Sequence, residues 1–304
     1  MATPNHSDRQ AATSPEPSSR NGSMDLEDFH YQIPWRSHSA IPGHHLSTQS
    51  GGGYEFHGHA PLLSYPDARN IDVHASLHDP FGQFVVRTFR QRSSIPVFVI
   101  ADLSASMNFR GRCHKTKILA HFSAVSAYSA YRTGDPFGFF GCSDQIHWDL
   151  YLPLRWQKSM NQDLFARLKN FHPRGDSVQG LFDVASIVGK RRALIFLVSD
   201  FHMPLHRITA LLEAFAPHDV IPVVIWDSFE QEPPAWGFYR LRDPENGHER
   251  LLFMRPRLQQ AFIDAFSERR RLLIQRFEGH NRKPFFITNR FDPVSMSEYF
   301  FDSA

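Results

Sequence analysis

From about residue 94 onward, short continuously apolar runs alternate with stretches that repeat apolar side chains every three or four positions. IPVFVIA, PFGFFGC, LIFLVS and VIPVVIW are the continuous runs, and they read as strands buried on both faces. KTKILAHFSAVSAYSAYRT brings Ile118, Phe122, Val125 and Ser129 to one face and stops at Gly134, which predicts a helix. NQDLFARLKNF, MPLHRITALLEAF and RPRLQQAFIDAFSERRRLLIQRFE read as further helices, the last with Leu258, Phe262, Phe266, Leu273 and Phe277 on one side. QIHWDLYLPL follows PFGFFGC closely enough to pair with it as a hairpin. WGFYRLRD and ERLLFMR suggest a second hairpin, KPFFITN a last strand and SMSEYFF a closing helix. Apolar strands with helices between them predict an α/β fold: a doubly wound, mostly parallel sheet covered on both faces. If its strand order resembles 3-2-1-4-5-6, IPVFVIA and LIFLVS are neighbours at the switch point.

The start of the chain differs. Residues 1–28 are polar, rich in Ser and Pro, and nearly free of large apolar side chains, so a disordered tail is expected. Residues 29–93 form a small β-rich segment and 94–304 the main domain. No run approaches the ~18–20 apolar residues that a bilayer span requires, and no basic segment precedes an apolar core. The expectation is a cytoplasmic protein. A net charge of +2 gives no reason to expect nucleic acid or an anionic membrane as partner, and two cysteines make no disulfide framework.

Three loops carry the candidate chemistry. Asp102-Leu103-Ser104-Ala105-Ser106 ends the first apolar strand, so that one carboxylate and two hydroxyls face a small volume. Ser199-Asp200 ends another central strand, and HPRGDSVQG offers Ser177 between them, with Asp176 beside it as a competing donor. Hard oxygen donors of this kind suit Mg²⁺ or Mn²⁺ and suit zinc poorly. Ligands of doubly wound sheets bind beyond the carboxyl ends of the strands, where these loops fall.

The order of the three loops resembles the metal-ion-dependent adhesion site of von Willebrand factor A domains. That resemblance assigns the metal to Asp102, Ser104, Ser106, Ser177 and Asp200, with serine at 177 where threonine is usual. Upstream, Gly53, Glu55, Phe56, Asp67, Arg69, Ile71, Asp72, Val86 and Arg87 resemble the N-terminal signature of the MoxR-associated von Willebrand A-like family, domain of unknown function 58. Ala60 stands where that signature has arginine, Tyr65-Pro66 where it has Gly-Asp, and Val73 where it has tryptophan, which marks a divergent branch.

The resemblance implies a non-enzymatic, chaperone-like interaction module. Its partners would be a MoxR-type AAA+ ATPase and a client complex undergoing maturation or metal insertion. The short, divergent chain also resembles the branch encoded with methanol-oxidation genes, which would make methanol dehydrogenase the client. The alternative is a Mg²⁺-dependent hydrolase, for which His114 and His202 are the candidate bases. There is no phosphate loop for an ATPase activity of its own and no nucleophile elbow. His38, His44, His45, His57 and His59 lack the spacing of a zinc site. Arg174-Gly175-Asp176 is a loop-forming sequence, and Arg269-Arg270-Arg271 reads as a solvated helix face.

Overall fold

The computed structural model describes residues 27–37, 42–51, 55–109, 111–175, 177–242, 249–280 and 282–302. Most of the predicted disordered tail, together with His38, Gly53 and Asp176, lies outside the described residues.

The chain first forms a three-stranded antiparallel sheet from β1 (Pro42–Gly51), β2 (Glu55–Pro61) and β3 (Val85–Ser93), with β3 in the centre. A short helix, α1 (Val73–Leu77), packs by it. Two signature residues hold this corner. Asp72 caps α1 through the Ala75 N–H, and its other oxygen meets Arg87 Nε at 2.7 Å. The Ala75 N–H first, then Arg87 and His59, hold the Asp72 carboxyl well below the ordinary range.

The main sheet comprises β4 (Val97–Asp102), β5 (Phe137–Cys142), β6 (Leu152–Arg155), β7 (Leu194–Ser199), β8 (Asp219–Trp226) and, after a separate hairpin of β9 (Gly237–Arg242) and β10 (Glu249–Met254), β11 (Phe285–Thr288). Its order is β11-β8-β7-β4-β5-β6. Renumbered within the sheet and read from the β6 edge, this is the expected 3-2-1-4-5-6. All neighbours are parallel except the edge strand β6, which returns against β5.

Alternation along β4 assigns the two faces. Val97, Val99 and Ala101 point to one core, with α2 (Lys115–Thr133), α3 (Met160–Lys169) and α8 (Pro293–Asp302) over them. Phe98 and Ile100 point to the other, covered by α4 (Gln179–Ile187), α5 (Leu205–Ala214) and α7 (Pro256–Glu278). Each fully buried aliphatic or aromatic side chain in these layers contributes about 1.5–3 kcal/mol of transfer free energy, which is why polar positions in the central strands are confined to their ends, at Asp102, Ser199 and Asp219. Helix α2 is buried on more than the predicted face. Leu119, Ala120, Ser123, Ala124 and Ala127 are covered too, because α2 lies between the sheet and α3. Gly134 ends it in a left-handed conformation, φ 76°.

Residues at the start of the 29–93 segment are built into the main core. Phe29 is 1% exposed and stacks among Phe122, Phe196, Phe291 and Phe300. Buried Asp135, just past α2, accepts hydrogen bonds from Tyr31 Oη and the Ile95 N–H, and His45 Nε2 lies 2.7 Å from it. Burial, and then the Asp135 charge, raise the Tyr31 hydroxyl pKa well above its usual value. Among the described residues, no helix is long and apolar enough to cross a membrane.

Candidate metal centre

Strands β4 and β7 are neighbours where the chain reverses direction across the sheet, so their C-terminal ends deliver Asp102 and Asp200 side by side. Both carboxylates are 1% exposed. Asp102 is held at both oxygens: Oδ1 accepts the Ser104 N–H at 2.9 Å and Oδ2 the Ser199 hydroxyl at 2.6 Å. Ser104 Oγ and Ser106 Oγ are 3.2 Å apart on the same turn. Burial, followed by the charge of Asp200, raises the Asp102 pKa to about 6. Asp200 goes the other way. Burial would raise it, but His202 and Lys115 outweigh that and lower it.

The second loop runs alongside the first. Ala105 N–H donates to Gly175 O and Arg174 N–H to Leu103 O. Ser177 is half-buried; its N–H donates to Asp144 Oδ1 at 2.7 Å and its Oγ accepts the Gln179 N–H at 3.1 Å. Gly175 has φ 103°, and a Cβ there would come within 2.9 Å of the Asp144 carboxylate, so loop geometry explains the glycine of Arg-Gly-Asp.

Several residues of this centre were not singled out from sequence. Lys115, fully buried, places Nζ 3.0 Å from Asp200 Oδ2 and 2.9 Å from Glu230 Oε1. Asp227 ends β8 and gathers the N–H groups of Gly111, Arg112 and Cys113, so the loop between Ser106 and α2 is pinned to the sheet. A Cβ on Gly111 would lie 2.7 Å from that carboxylate, so a side chain there would displace Asp227 from the N–H groups it gathers. Burial pushes Asp227 up, and the N–H donors of Cys113, Phe229 and Arg112 bring it below its ordinary value. A signal did exist for Asp227: like Asp102 and Asp200, it terminates an apolar run.

The basic run is a solvated face in part: Arg270 and Arg271 are exposed, and Arg269 is half-buried. Arg269 donates to the carbonyls of Phe201 and Met203, Arg270 lies 4.5 Å from the Phe286 ring, and Arg271 pairs with Glu268. Arg269 thereby clamps the loop after Asp200, where buried Phe201 adopts φ 51°. Only Arg269 departs from the solvated face, because neighbouring helix positions point in different directions. Of the two candidate bases, His202 lies 3.6 Å from Glu230 and 4.0 Å from Asp200, whereas His114 lines a cleft with Lys117 and Phe171. Among the described histidines of the N-terminal segment, His45 faces Asp135 and His59 faces Asp72.

Among the described residues, no group of three His, Cys, Asp or Glu side chains is placed to hold a metal ion. The centre instead combines two carboxylates with hydroxyls. That donor set fits a hard divalent cation, because the carboxylates are buried together and Lys115 is shared with a third acid.

Residues 66–271 match the family model described as Protein of unknown function DUF58. The chain belongs to this family. An "Uncharacterized protein in moxR 3'region" of Paracoccus denitrificans is similar, 31% identical over 96 residues that cover 31% of this chain and 91% of that protein. Among solved structures, the conserved hypothetical protein BatB from Bacteroides thetaiotaomicron is similar at 9% identity and a TM-score of 0.40, covering 69% of this chain and 98% of that one. The SpRpn10 VWA domain is similar at 12% identity and a TM-score of 0.34, covering 67% and 94%. The von Willebrand A-like arrangement of this DUF58 chain is read from its strand order and helix layers.

Proposed function

We propose that this DUF58 chain is a metal-dependent protein-interaction module that works with a MoxR-type AAA+ ATPase. The reading is carried by one observation: buried Asp102 and Asp200 come together with the Ser104–Ser106 hydroxyl pair at the carboxyl edge of the sheet. Crowded carboxylates in a dry site favour a cation, and oxygen donors favour Mg²⁺ or Mn²⁺. Asp102, Ser104, Ser106, Ser177 and Asp200 would hold it. When bound, the ion supplies an electrophilic position that a partner's carboxylate can complete. The chain's own groups prepare that position. Ser199 and the Ser104 N–H aim Asp102, Asp227 fixes the adjoining loop, and Arg269 fixes the loop after Asp200.

The relative named for the moxR 3' region supports the ATPase as partner. The client would be a complex undergoing maturation or metal insertion, and methanol dehydrogenase is the candidate carried from the sequence resemblance. A hydrolytic role is less well supported. For His202, burial lowers the pKa, but Asp200 and Glu230 outweigh it and raise it, and the ring lies 4.0 Å from Asp200 and 3.6 Å from Glu230, so both acids already engage it.

A pull-down of the ATPase by the full chain tests the proposal. Recovery with Mg²⁺, and loss with EDTA or in Asp102→Ala and Ser104→Ala, is the expected result. Equal recovery in EDTA would overturn it.

A further inference from the structure

A recess lies at the opposite end of the sheet from the metal loops, where β8 begins and the chain enters β7. Its volume is about 610 Å³, within the span of small-molecule sites. Its accessible apolar lining comes from Trp35, Ala216 and Val220, while Leu212, Phe215 and Phe277 border it as buried side chains.

The polar groups of the recess are unequally matched. Asp219 is buried and accepts hydrogen bonds from Trp35 Nε1, at 3.1 Å, and from Arg282, so its charge is met. Arg192, exposed at the rim, lies 4.9 Å from the Trp35 ring and has no carboxylate partner among the described residues. His218 is 7% exposed, and its Nδ1 has no hydrogen-bond partner among the described residues. Burial lowers its pKa below the usual value, against a backbone hydrogen bond at Gly189 that raises it. A buried ring nitrogen without a partner is costly unless something visits to satisfy it.

We propose that this recess binds a small organic anion, with its apolar body against Trp35, Ala216 and Val220, its anionic group on Arg192 and a hydrogen bond to His218. One free guanidinium beside an apolar wall selects molecules that carry both features. A carboxylate and a phosphate monoester both meet this description. Because Trp35 lines the recess, the bound anion would also fasten the 27–37 segment to the sheet.

Calorimetric titration of the full chain with phenyl phosphate and phenylacetate tests the proposal, with inorganic phosphate and benzyl alcohol as controls. At least one aromatic anion should bind at a single site, weakened about tenfold or more in Arg192→Gln. Each control lacks one of the two features and should bind more weakly. The preference between the two anions tells phosphate from carboxylate. Arg192 is exposed, and an unchanged melting temperature checks that the variant folds. Absence of binding by both anions, equal binding in Arg192→Gln, or equal binding of benzyl alcohol would each overturn the assignment. Mg²⁺ titration of the same samples reads the other end of the sheet separately, so failure here is distinguishable from failure of the metal centre.

Discussion

Lys115 Nζ lies 3.0 Å from Asp200 Oδ2, and both side chains are sealed from solvent. Burial alone would pull the lysine pKa down, but Asp200 and Glu230 outweigh it and raise it, so the ammonium keeps its charge. The chain has thus placed a cation of its own on a carboxylate expected to serve the metal. Ammonium and divalent ion then compete for the same charge.

Lys115→Met should therefore tighten Mg²⁺ binding while weakening the metal-free fold. Breaking a buried pair costs about 3–5 kcal/mol, because the remaining acids are left unpaired. In thermal unfolding, the variant should start lower and gain more from added Mg²⁺ than the parent. Equal gains would show that Lys115 does not compete with the ion.

Asp102→Asn should separate stability from metal binding. The Asp102 pKa is raised from 3.8 to about 6, so between these values the native state takes up a proton that the unfolded chain does not. This group's contribution to stability falls as pH rises through that window and stays unfavourable above it. The neutral amide should remove the slope and stabilise the metal-free protein at pH 7 by on the order of 1–3 kcal/mol. It should also abolish Mg²⁺ binding. Denaturant unfolding in EDTA from pH 4 to pH 7 checks the first expectation and calorimetry the second. A variant with the parent's pH slope would refute the argument.

Arg269→Gln should weaken Mg²⁺ binding about tenfold, a typical cost of losing support behind a metal ligand. Arg269 would not touch the ion; it holds the carbonyls of Phe201 and Met203, next to Asp200. Unchanged affinity in a folded variant would show that the loop holds its shape without this clamp.

Phe29→Ala should lower stability by about 3–5 kcal/mol, the range for deleting a buried aromatic ring. The ring meets four other phenylalanines on the α2 face. A loss below about 1 kcal/mol would mean that residues 27–37 are only loosely attached.

The sheet was legible because continuous apolar runs and three-to-four spacing are local signals. Strand order was legible only as a condition: the Asp102 and Asp200 loops follow neighbouring strands if the order is 3-2-1-4-5-6, which is the order observed. Ser199 and Asp227 extend that local pattern, since each stands at the end of an apolar run. Lys115, Glu230 and Arg269 were not legible in their roles. Lys115 meets partners 85 and 115 positions away, and Arg269 holds carbonyls 66 and 68 positions away. Nothing periodic announces such contacts. Phe29 and Tyr31 were missed for a related reason: two aromatic residues in a polar stretch have no pattern of their own, and their burial depends on a recess that distant elements create.

That recess also bears on the order in which the molecule can be completed. Phe29 stacks on Phe300, and the His30 N–H donates to Ser297 Oγ across 267 positions. Contacts so distant in sequence carry a large loop-closure cost and form late. During synthesis, Phe29 is already present when Phe122 and Phe196 emerge, but the side of Phe196 that Phe300 meets stays uncovered until α8 has been made. The opposite layer lacks only α7. Throughout its emergence, the nascent chain presents an aromatic surface that ribosome-associated chaperones are suited to shield.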